Sequence, residues 1–190
     1  NAIVLPWFNA DGTLGTIKYR RVDTKAFFYA RGGRPVREMI YGLDVVYRKR
    51  LRKVAVCESE TDAMTIMTLG MPAIATGGAK MWNDRKRDML LRSPIEEIVL
   101  VRDNDAAGRE WRNTLFKSLN GLVKLQLSLV NRRYKDINEE IVSLIGNSGG
   151  IPTSFQELCR HRPMGGYIIQ VDECATHTAR QPLRANAAAS

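Results

Sequence analysis

Histidine and cysteine are scarce in this chain, with two His and three Cys in 190 residues. Cys57, Cys159 and Cys174 are too few and too scattered to frame a disulfide-stapled fold, which predicts a reducing, cytoplasmic setting. No apolar run approaches the roughly 18 residues that a membrane helix needs, and no charged-then-apolar leader opens the chain, so no membrane partner is expected. A Gly-rich phosphate loop closing on Lys-Ser/Thr is missing, which removes the nucleotide-driven motor class. A four-cysteine zinc cluster is missing too. Cys159, His161, Cys174 and His177 gather both histidines but fit no common finger spacing. The chain starts on Asn1 rather than Met and reads as a piece of something longer.

What is present is apolar content of 44%, enough for one medium domain or one domain with a small appendage. The net charge of +9 is unevenly placed: residues 1–53 carry twelve Lys and Arg against four acids, while the remaining residues nearly balance. Such a basic segment suits a polyanion-facing surface, although a plain solvated basic face has the same composition.

Up to residue 53 the pattern is that of a small β structure. "AIVLPWF" and "TIKYRRV" flank a hairpin signal at Asp11-Gly12, "KAFFYA" runs into the turn "RGGRP", and "MIYGLDVVY" follows. Aromatic and basic side chains interleave here, a mixture that can stack bases and hold phosphates or simply fill a core. "RKRLRK" reads as a charged connector. From Val54 strands and helices alternate. "VAVC", "PAIAT", "IEEIVLVR" and "VKLQLSLV" are strands, separated by helices over "ESETDAMTIMTLG", "NDRKRDMLLR" and the segment in which Ala107, Trp111, Leu115 and Leu119 recur every four residues. A helix over "KDINEEIVSLI" follows. This alternation predicts βαβ units with a parallel sheet. Residues 146–190 read as a linker and a poorly ordered tail, in which "YIIQV" could add a strand.

Two of these strands end in acid. The first gives Glu58, with Glu60 and Asp62 behind it, and the third gives Asp103 and Asp105. An aspartate pair past a buried strand is unsuited to the interior, so it belongs at the carboxyl edge of the sheet, where open α/β sheets bind ligands. Asp105 could equally be the N-cap of the next helix. If the two strands are neighbours, their acids make an oxygen-rich site for Mg²⁺ or Mn²⁺, suited to phosphoryl transfer beside a basic surface.

"CESETDAM" resembles the glutamate motif of the Toprim domain, "RDNDAAGR" its Asp-x-Asp motif in the form primases use, and "YKDINEE" the Lys-Asp-x-x-Glu motif that follows in the same primases. The upstream "FNADGTLGTIKYR", "KAFFYARGG" and "IYGLD" resemble the basic β-rich subdomain that precedes Toprim in phage and helicase-linked primases. The resemblance implies an α/β fold with a Toprim-type parallel sheet and flanking helices over residues 54–145, preceded by a basic β-rich subdomain over residues 1–53. It implies a DNA primase core that makes short RNA primers on single-stranded DNA from ribonucleoside triphosphates. Glu58 becomes a metal ligand or general acid/base, Asp103 and Asp105 the main ligands, and Asp62 and Asp136 further members of the acidic edge. Lys18, Arg20, Arg21, Arg34 and Lys135 are the expected nucleotide or DNA contacts, although a strand lysine such as Lys18 can equally be solvated. Asn138 stands where the replicative bacterial primases commonly have a second aspartate, and Ser59 where a glycine is usual. Gly77 and Gly78 could let backbone amides approach a phosphate or could form a plain turn. The implied partners are a replicative helicase and a separate zinc-binding module. A Toprim nuclease would use the same carboxylates, and a non-catalytic single-strand-binding module would need only the basic surface. A topoisomerase would need a tyrosine nucleophile in a large further domain.

Overall fold

The computed structural model describes residues 1–24, 26–148, 154, 155, 158, 169 and 170. The Cys/His group at 159–177 and most of the predicted tail lie outside these residues.

Three strands, β1 (Ala2–Phe8), β2 (Leu14–Arg21) and β3 (Phe27–Tyr29), form an antiparallel sheet in chain order. The β1–β2 turn is tied by Asp11, whose carboxylate accepts from the Thr13 amide at 2.9 Å and from its hydroxyl at 2.6 Å. The register sets Trp7 opposite Thr16, Leu5 opposite Lys18 and Lys18 opposite Tyr29, so these side chains share one face. Trp7, Leu5, Thr16 and Lys18 on that face are buried.

"MIYGLDVVY" departs from the predicted β structure. Tyr41 makes only an isolated bridge to Ala75, and helix α1 (Leu43–Lys49) follows Gly42, whose φ of 79° is a turn conformation suited to glycine. Leu43 and Val46, three residues apart, bury on one helical face, and that packing overrides the strand preference of Val45-Val46-Tyr47. The "RKRLRK" connector is divided between the end of α1, a left-handed Arg50 and the first residue of the next strand.

The second sheet holds β4 (Lys53–Cys57), β5 (Ala73–Ala75), β6 (Glu97–Arg102), β7 (Lys124–Leu129) and β8 (Ile169–Gln170), in the order β5-β4-β6-β7-β8. The first four are parallel, and β8, within the predicted "YIIQV" strand, pairs antiparallel with β7. The helices are α2 (Glu60–Thr68), α3 (Asp84–Leu91), α4 (Ala106–Leu119) and α5 (Ile137–Ser148). Strand alternation sorts the core into two layers. Ala55, Cys57, Val99 and Val101 join Ala63 and Ile66 of α2 and Ile137 and Ile141 of α5. Val54, Val56, Ile98 and Leu100 join Leu43 and Val46 of α1, Leu90 of α3, and Trp111, Leu115 and Leu119 of α4. A parallel sheet covered on both sides explains why its strands read as continuous apolar runs. On α4 one expected core position differs by one step of helical phase, Gly108 rather than Ala107 packing inward, and on α2 Ile66 is buried while Met67 is exposed. No helix among the described residues is long and apolar enough to cross a membrane.

Candidate active site

The central strands β4 and β6 are direct neighbours, with Val56 in register with Leu100. Their carboxyl ends therefore bring Glu58 and Asp103 to one edge of the sheet, which the sequence left conditional. Glu58 is buried, and its Oε1 has no hydrogen-bond partner. Burial first, and then the charge of Asp105, push its pKa up to about 7. Asp103 rises further, to about 8, through burial and then the charges of Asp62 and Glu58. These shifts mark a site where negative charge is crowded beyond what the protein neutralises.

Asp105 fulfils the cap expectation: it is the N-cap of α4 and accepts from the Gly108 amide at 2.8 Å through Oδ1. Asp136 caps α5 in the same way, accepting from the Glu139 amide at 2.9 Å. Asp62 lies in the first turn of α2. Ser59, the N-cap of that helix, donates to one oxygen of Asp62, and the Asn138 amide donates to the other. Asn138 is itself held by the Thr65 hydroxyl. Burial raises the Asp62 pKa to about 6, while the Arg20 charge works against that rise.

Gly108 explains the glycine in "DAAGR". A Cβ there would overlap the Asp103 carbonyl and stand 2.9 Å from Glu58 Oε1. Helix α4 can approach the acids this closely only without a side chain. Asn104, between the two aspartates, joins two loops. Its side-chain amide donates to the carbonyls of Val130, Asn131 and Tyr134 at 3.2, 3.0 and 2.8 Å, and its backbone amide donates to the Lys135 carbonyl at 2.7 Å.

The basic residues divide. The charges of Arg20 and Lys135 reach the acidic edge, acting on Asp62 and Glu58 respectively. Lys18 is turned into the protein, where its ammonium contacts both oxygens of Glu60 at 2.9 and 3.0 Å. Arg21 pairs with Asp23 on the surface, while Arg34 contacts Asn9 at 2.8 Å and Glu38 at 3.7 Å. Glu60, two residues after Glu58, is fully engaged by the small sheet, since the Trp7 indole also donates to it at 3.1 Å. The Gly77-Gly78 loop follows β5, where the Gly77 amide donates to the Glu58 carbonyl at 2.9 Å. Lys86 of α3 is fully buried and donates to the Thr76 carbonyl, one residue before that loop. Neither Glu60 nor Lys86 announced its role in the sequence.

Among the described residues, no three His, Cys, Asp or Glu side chains are already gathered to hold one ion. Asp105 and Asp136 each use one carboxylate oxygen to cap a helix, and both oxygens of Asp62 are hydrogen-bonded. The donor set nevertheless suits a hard cation, because the unpartnered Glu58 Oε1 and the raised Asp103 are what a divalent ion would relieve.

Residues 55–141 match the Toprim-like family. The gene 57 protein of Mycobacterium phage D29 is 28% identical over 116 residues, covering 60% of this chain and 71% of that protein. The primase fragment of the bacteriophage T7 primase-helicase protein is similar in structure, with a TM-score of 0.63 at 24% identity over 77% of this chain. The zinc-binding and RNA polymerase domains of Aquifex aeolicus primase give 0.60 at 17% identity over 78% of this chain. The chain spans 59% of the first of these structures and 37% of the second. Neighbouring parallel strands β4 and β6 that run into acids, a small antiparallel sheet before them and the match over residues 55–141 make this region similar to the Toprim-like family, in a fold shared with solved primase structures.

Proposed function

We propose that the chain is the catalytic core of a DNA primase, extending short RNA primers on single-stranded DNA by nucleotidyl transfer. The observation that carries this reading is the meeting of Glu58 and Asp103 at the ends of neighbouring strands, with Asp62, Asp105, Asp136, Arg20 and Lys135 within electrostatic reach. Asp103 and Asp105 are the main residues to hold Mg²⁺ or Mn²⁺, with Asp62 and Asp136 supporting them. A divalent cation bound there would neutralise charge on the triphosphate and on the attacking oxygen.

The chain's own side chains supply the rest. Arg20 and Lys135 hold phosphate oxygens and set the register of the strand. A primer 3′-hydroxyl oxygen attacks the α-phosphorus of the incoming ribonucleotide, the bond to the β-phosphate breaks, and pyrophosphate leaves. The hydroxyl proton goes to Glu58 Oε1, an oxygen that no hydrogen bond of the protein occupies. Lys18 does not contact the triphosphate in this scheme. It anchors the small sheet to Glu60, two residues from Glu58. A replicative helicase and a separate zinc-binding module are the proposed partners, supplying position and start-site choice.

The test is incorporation of labelled ribonucleotides on single-stranded DNA with Mg²⁺ or Mn²⁺, comparing the chain with its Asp103→Asn/Asp105→Asn variant. Short RNA products that vanish in the variant are expected. Asparagine caps helices as well as aspartate, so the variant should stay folded. Metal-dependent nicking without nucleotides would favour the nuclease reading. Strand binding indifferent to metal and to both substitutions would favour a binding module.

A further inference from the structure

The small sheet presents an aromatic ring beside the acidic edge that no catalytic role yet uses. Phe27 on β3 is 54% exposed. Its register partner is Arg20, the arginine whose charge reaches Asp62. The Lys18 ammonium lies 4.7 Å from the centre of its ring, and the edge-on Tyr29 ring is 5.7 Å away at 71°. The ring is therefore held from below and from the side, with more than half of the residue open. Along this face the side chains run from buried Trp7 and Thr16, through Lys18 and Tyr29, to half-buried Arg20 and open Phe27. The neighbouring Phe28 is equally exposed but points to the opposite face, where it stacks on Tyr19 at 4.9 Å.

Resting on the primase reading, we infer that Phe27 is a stacking platform for one base of the single strand bound at the acidic edge, with Arg20 on an adjoining phosphate. A flat ring with two side-chain torsions, already fixed by Lys18 and Tyr29, loses little freedom on contact, and every base offers a π-face to it. The cation beneath the ring anchors it while the open face stays apolar. This arrangement serves a strand of any sequence, whereas a sequence-reading site would need donors and acceptors aimed at base edges.

The test measures affinity for a labelled oligothymidylate of roughly a dozen nucleotides, and for a strand of equal length with abasic sugars, by fluorescence anisotropy. Phe27→Ala should weaken oligothymidylate binding about tenfold or more and leave the abasic strand unchanged. Phe27→Tyr should restore binding, Phe27→Leu should not, and Phe28→Ala should have no effect. Circular dichroism of each variant checks the fold. Equal losses on both strands, or an effect as large from Phe28→Ala, would overturn the stacking role. RNA synthesis that persists in Phe27→Ala with unchanged strand affinity would refute the inference and leave the primase reading standing. A wild-type chain with no affinity for single strands would overturn both.

Discussion

Lys86→Met is expected to stabilise the protein at neutral pH and to lose that advantage in alkali. Lys86 is fully buried on α3, and its ammonium donates to the Thr76 carbonyl. Burial lowers its pKa from the ordinary 10.5 to about 8, with the Glu60 charge opposing the fall. Below pH 8 the native and unfolded chains both carry the proton, and folding bears the whole cost of burying the charge. Between 8 and 10.5 the unfolded chain keeps a proton that the native chain has lost, so native stability rises with pH. The full interval corresponds to about 3 kcal/mol. Methionine keeps the length and apolar stem while losing the bond to Thr76, at about 1 kcal/mol. The variant should therefore be more stable by about 2 kcal/mol near pH 7. The wild type should recover about 2 kcal/mol by roughly pH 9.5, bringing the two level. Urea unfolding followed by tryptophan fluorescence at several pH values reads this directly, and other titrating groups cancel in the difference. A stability difference that stays constant from neutral to alkaline pH would refute the reasoning.

Two further substitutions follow from the same geometry. Lys18→Met leaves the buried Glu60 carboxylate with Trp7 as its hydrogen-bond donor and no cation in contact, and should cost about 3–5 kcal/mol in urea unfolding. Adding Glu60→Gln should restore most of that loss, because the cost comes from the orphaned charge. Gly108→Ala should lower thermal stability by about 1–3 kcal/mol despite the better helix propensity of alanine, because the new methyl meets the Asp103 carbonyl and Glu58. Calorimetry checks this, and a neutral or stabilising result would show that the approach of α4 is looser than described.

The parallel sheet was legible because strands covered on both sides must be apolar where they are covered, and "VAVC" and "IVLV" are. The acids were legible for the opposite reason, since charge ending such a run has to be at an edge. The fate of Lys18 was hidden because its partner lies 42 residues away, and nothing local tells a solvated strand lysine from a paired one. Glu60 follows Glu58 by two residues, yet its carboxylate meets Lys18 and Trp7, a pairing that nothing local in the sequence marks. Helix α1 was obscured by β-branched residues that owe their helical state to contacts from other parts of the chain. Asn138 reads as the loss of an acid in the motif, yet its amide holds Asp62 in place.

The amide of Asn104 has one more consequence. By tying the loop after β6 to the loop after β7, it cross-links the backbones that lead to Asp103, Asp105 and Asp136. A ligand arriving at the acids then has no loop to order and need select only the torsions of individual carboxylates, at about 0.5–1.5 kcal/mol for each side chain fixed. Pre-organisation of this kind resides in the residue between the two acids, and changing that residue should loosen binding while leaving every carboxylate in the sequence.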